Sequence, residues 1–138
     1  MKFLLPSFAL IATALGQGIT IGAPLPGEKV VVDEDFTIQV IKNNHIMSSI
    51  EFGLAIGIVS CQEADCPPAS EMGTVLYSGP FEPVLQDGIS YQNFTVAVPK
   101  DRGISGPSRI SVARGFLIGA GNGAVLSTDN TVNVEVSA

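Results

Sequence analysis

From about residue 18 onward, short apolar runs rich in β-branched residues alternate with clusters of Gly, Pro and Asn. Within the runs the apolar positions recur every second residue, and no window of a dozen residues carries the 3.6-residue period of an amphipathic helix. The pattern predicts strands over 18–22, 29–32, 36–40, 51–59, 73–77, 91–98, 109–118 and 131–136. In 51–59, Phe52, Leu54, Ile56 and Ile58 fall on one face, and Gly53, Ala55 and Gly57 on the other. A face of Gly and Ala is expected where another backbone or a large side chain comes close. In 91–98, Phe94, Val96 and Val98 point inward and Asn93, Thr95 and Ala97 outward. In 109–118, Ile110, Val112, Phe116 and Ile118 share a face with Arg114, and a bulge near Gly115 is expected to re-aim the arginine. The segments 24–27, 33–35, 43–44, 99–107 and 119–123 read as turns or loops, and Gly79-Pro80 and Pro83 punctuate an edge-like segment. The fold class that follows is all-β: a two-sheet sandwich of the immunoglobulin or fibronectin type III kind, with about seven strands. A small barrel is the alternative.

The first residues do not fit this pattern. MKFLLPSFALIATALG has one basic residue, Lys2, then an apolar run too short for a bilayer of ~30 Å, then small residues at Ala14 and Gly16. This is the grammar of a cleavable signal peptide over 1–16, leaving a secreted domain over 17–138. No later run suggests a membrane anchor. Seven Lys and Arg face thirteen Asp and Glu, and loss of Lys2 takes the net charge from −6 to −7. Such a surface argues against nucleic acid and anionic membranes as partners. Export also changes the reading of Cys61 and Cys66, the two cysteines of CQEADC. In an oxidising compartment a disulfide is the default. Its short loop makes it a local clip worth roughly 2 kcal/mol. Asn93-Phe94-Thr95 is a glycosylation sequon on the polar face of its strand.

The inventory of reactive groups is thin. His45 is the only histidine, and it lies in a polar stretch unsuited to a Ser-His-Asp arrangement. No nucleophile elbow precedes a helix. Asp33, Glu34 and Asp35 are consecutive, so on an extended chain they point to alternating sides instead of converging on calcium. The GAGNG run at 119–123 lacks phosphate-loop spacing and reads as a hairpin turn. No catalytic residue, cofactor or metal site is assigned, and the chain is read as a non-enzyme. Lys100, Arg102, Arg109 and Arg114 cluster in sequence and offer a small basic patch. The best candidate interface combines the 100–109 loop with the 119–123 turn, through Lys100, Arg102, Arg109, Gly121 and Asn122.

Four blocks carry a wider likeness: PGEKVVVDEDFTIQVIKNN, EFGLAIGI, MGTVLYSGPF and SGPSRISVARGFLIGAGNGAVLSTDNTVNVEV. In this order they cover most of the exported chain, and they resemble the fungal necrosis-inducing secreted protein family. That resemblance implies a non-enzymatic effector. It would bind plant receptor-like kinases or their cytoplasmic partners, suppress pattern-triggered immunity and, for some members, provoke cell death. It implies a protein partner, and a monomer is expected. The Cys61–Cys66 clip and a glycan on Asn93 fit action outside the host cell more readily than inside it, so both locations stay open. The competing expectation is an extracellular or wall-associated immunoglobulin-like module that holds a glycan or wall component.

Overall fold

The computed structural model describes residues 18–43, 49–61, 65–118 and 123–138. The predicted leader, His45 and the Gly121–Asn122 turn lie outside the described residues. Among these residues nine strands follow in chain order: β1 (Ile19–Ala23), β2 (Lys29–Val31), β3 (Phe36–Lys42), β4 (Ser49–Ser60), β5 (Thr74–Gly79), β6 (Val84–Gln86), β7 (Ile89–Val96), β8 (Gly106–Ile118) and β9 (Gly123–Ser137). Among the described residues the only helical element is a single 3-10 turn at Lys100–Arg102. The strands form a four-stranded sheet, ordered β1-β3-β7-β6, and a five-stranded sheet, ordered β2-β9-β8-β4-β5. All pairings are antiparallel except β2 with β9. The protein is therefore a two-sheet β-sandwich.

The core lies between the sheets because each strand sends its β-branched positions to one side. Ile38 and Val40 of β3 and Phe94 and Val96 of β7 meet Leu54, Ile56 and Ile58 of β4, Ile110 and Val112 of β8, and Val132, Val134 and Val136 of β9. Tyr77 of β5 packs its ring at a tilt against Phe94, with ring centroids 4.5 Å apart. Burying each such side chain stabilises the fold by about 1.5–3 kcal/mol relative to leaving it exposed.

Two irregularities reshape one end of this core. Glu51 of β4 pairs with Phe116 while Gly53 pairs with Gly115, so Phe52 is an extra residue, a bulge. Phe52 therefore leaves the inner face to which alternation assigns it and sits 55% exposed. Glu51 takes the inward position instead. Opposite, β9 carries an extra residue between Ser127 and Asn130, against Val112–Arg114 of β8. Neither bulge turns Arg114 outward. It keeps the inward parity of Ile110 and Val112 and is 1% exposed.

Candidate functional site

The outer face of the five-stranded sheet is paved with small residues. Gly53, Ala55 and Gly57 of β4 stand beside Gly115, Ala113 and Ser111 of β8. The protein covers half of this face with its own chain. From the Cys61–Cys66 disulfide, residues 67–72 cross from β9 over β8 and β4 to β5. At the β9 side, Cys66 Sγ lies 4.0 Å from Asn133 Oδ1. Over β8, Arg109 donates from Nη1 to the Pro67 carbonyl and from Nη2 to the carbonyls of Pro68 (3.0 Å) and Glu71 (3.1 Å). Its Nε donates to Ser111 Oγ at 3.1 Å. Over β4, a Cβ on Gly57 would overlap the Met72 carbonyl oxygen. The Gly/Ala face thus meets the backbone it anticipates.

The other half of the face is open. A groove of about 620 Å³ runs over Gly53, Ala55, Ala113 and Gly115. Phe52 and Leu126 rise at its sides, and the turn Pro80–Glu82 closes its β5 end. Leu126 is 77% exposed and Phe52 lies on Gly115, whose Cβ position its ring occupies. A Cβ on Gly53 would meet nothing within 4 Å. The exposed Ile50, paired with Leu117, continues the apolar surface toward the end of the sandwich.

Beneath this end, inside the sandwich, lies an ion cluster. Arg114 donates to both carboxylate oxygens of Glu51, from Nε at 2.7 Å and from Nη2. Lys42 of β3 reaches the same carboxylate at 3.3 Å, tying the two sheets together. The guanidinium also lies 3.9 Å from the Phe116 ring centre. Burial pushes the Glu51 carboxyl up, but Arg114 and Lys42 outweigh it and hold the group below the usual carboxylate range. The cluster plugs the sandwich end that supports the groove.

The structure separates the residues of the expected basic interface. Lys100 and Arg102 are exposed on the 3-10 turn. Arg109 is buried beneath 67–72 and Arg114 within the sandwich, so neither contributes to a surface patch. The 100–105 loop precedes the 13-residue strand β8, whose other end is Ile118. At ~3.3 Å per residue the strand puts about 40 Å between the 100–105 loop and Ile118, and Gly121 and Asn122 lie outside the described residues. Asn93 is exposed on the outer face of the four-stranded sheet, opposite Gln39. Among the described residues no group of three or more His, Cys, Asp or Glu could hold a metal ion. No helix among them is long and apolar enough to cross a membrane. Sequence reasoning missed Phe52 and Leu126 as surface residues. The signal that pointed to them was the Gly/Ala face itself.

Comparison with known proteins bears on the family and the fold. The Nis1 family profile matches residues 12–136. No curated protein sequence matches the chain. Among solved structures, a superoxide reductase (neelaredoxin) from Ignicoccus hospitalis aligns over 93% of this chain and 86% of its own, with a TM-score of 0.52 and 16% identity. At that identity the likeness is one of fold.

Proposed function

Because the chain belongs to the Nis1 family, we propose that it is a secreted, non-enzymatic effector that works by binding a protein. Its target is a plant immune receptor-like kinase or a cytoplasmic partner of one, and occupation of that target suppresses pattern-triggered immunity. The observation that carries this reading is the half-open sheet face, where the chain shields Gly57 and Arg109 with its own segment, covers Gly115 with the Phe52 ring, and leaves Phe52 and Leu126 exposed and Gly53 open above its Cα. An exposed apolar surface beside polar surroundings is the usual mark of an interaction site. We also read the strand orders β1-β3-β7-β6 and β9-β8-β4 as the A-B-E-D and G-F-C orders of an immunoglobulin sandwich.

The test is a pull-down. The protein is made through an oxidising secretory route and offered to receptor-like kinase domains, and separately to fungal and plant wall polysaccharides. Saturable kinase binding at physiological salt is the expected result. Retention on wall polysaccharide alone would replace the effector reading with that of a wall-associated module.

A further inference from the structure

We infer that the open groove takes an extended, proline-containing, basic segment of the partner protein, laid across the strands. This rests on the protein-binding reading above and specifies its contact surface.

The first argument is the chain's own use of the same face. The segment Pro67-Pro68-Ala69-Ser70-Glu71-Met72 crosses β9, β8, β4 and β5 over the covered half. It approaches with its backbone, because Gly57 leaves no side chain in the way, and it bends through a turn in which the Glu71 N–H donates to the Pro68 carbonyl at 2.8 Å; an occupant of the groove has no such turn imposed on it. The groove spans the same four strands two registers further along, lined by Ser78 of β5, Gly53 of β4, Gly115 of β8 and Leu126 of β9. Three strand spacings of ~4.8 Å make it about 14 Å long. A polyproline segment rising ~3.1 Å per residue covers that length with about five residues. Such segments dock well in apolar grooves with aromatic walls because their conformation is already restricted. Phe52 supplies the aromatic wall, and Pro80 and Leu126 supply the apolar ends.

The second argument is charge. The rim carries the exposed carboxylate of Glu82, which forms no ion pair among the described residues. Arg114, the basic residue among those lining the groove, is engaged with Glu51, which Lys42 also reaches. The exposed Lys100 and Arg102 lie at the far end of the sandwich. With the whole chain at −6, the rim favours a segment bearing Lys or Arg next to its prolines.

The experiment titrates the intact disulfide-bonded protein with three acetylated octapeptides, read by amide chemical shifts. One alternates Pro and Lys, one alternates Pro and Glu, and one alternates Ser and Lys. The Pro/Lys peptide should move the amides of Gly53, Ala55, Ala113 and Gly115 and bind about tenfold more tightly than either control, with affinity falling as salt rises. Gly53→Leu fills the groove where a side chain has room, and should weaken binding about tenfold. Leu126→Ser provides a second lesion on an exposed side chain, and Glu82→Lys should abolish the preference for Lys over Glu. Equal binding of all three peptides, no binding of any, or shifts confined to another surface would overturn the proposal. The kinase pull-down repeated with Gly53→Leu separates the two readings. Kinase binding that survives the substitution removes the groove and leaves the effector reading. Peptide binding without kinase binding does the reverse.

Discussion

At the residue scale, the Glu51 carboxylate decides how the open end of the sandwich is held shut. Arg114 is 1% exposed, and a guanidinium in that position is tolerable only with an anion and acceptors around it. Glu51 provides both oxygens, and Ser49 Oγ and Lys42 Nζ add further contacts at 3.3 Å each. Glu51→Gln keeps the shape and removes the charge. The variant should lose about 3 kcal/mol at pH 7, because a buried charge is left without its counter-ion. The sign with pH follows from the direction of the shift. A carboxyl whose folded pKa lies below its ordinary value of 4.5 contributes stability above that value and loses it as pH falls through the folded pKa. Denaturant midpoints of the two proteins should therefore differ most at neutral pH and converge below about 4.5. A gap that stays constant from pH 7 to pH 3 would show that packing of the side chain, and not its charge, is what Glu51 contributes.

At the element scale, alternation located most strands and failed at the bulges. Seven of the nine strands overlap the predicted spans closely, because each buries one face and a one-residue slip would expose it. β6 escaped because its three residues are all exposed and carry no burial pattern. Its signal was the Asp87-Gly88 pair, a two-residue turn with both φ values positive, 52° and 84°. The first half of β9 carried no strand expectation, and the bulge between Ser127 and Asn130 breaks its alternation. Phe52 was placed inward because alternation counts residues, and a bulge adds one. The Gly/Ala face was legible, but which atoms approach it was not, since these come from beyond the disulfide at Met72 and from Phe52 across the strand pair. The contrast between two glycines of β4 tests that account. Gly57→Ala must push backbone aside at Met72 and should cost about 1–3 kcal/mol, with faster hydrogen exchange over 67–73. Gly53→Ala meets open space and should leave stability within about 0.5 kcal/mol. Equal effects at the two positions would mean that 67–72 does not bear on Gly57 in solution.

At the scale of the whole molecule, the two outer faces of the sandwich differ in kind. On the four-stranded sheet, Thr37 and Gln39 of β3 pair with Thr95 and Asn93 of β7, giving a polar surface with Asn93 near its centre. On the five-stranded sheet, the outer face carries a strip of small residues, Gly53, Ala55, Gly57, Ala113 and Gly115, that is half covered and half open. The faces lie on opposite sides of one core, so a glycan on Asn93 would shield the polar side and leave the groove free. On the proposed reading, one chain could carry a bulky group on Asn93 and a partner in the groove without conflict. The disulfide belongs to the same division, since it anchors the segment over the covered half of the strip. The consequence is measurable with protein secreted from a glycosylating host. Asn93→Gln should change the mass by one glycan, alter folding stability by no more than about 0.5 kcal/mol as expected of a surface site, and leave kinase affinity within about twofold. A large gain in affinity on removing the glycan would move the partner site to the four-stranded face. A large loss would make the sugar itself part of the contact.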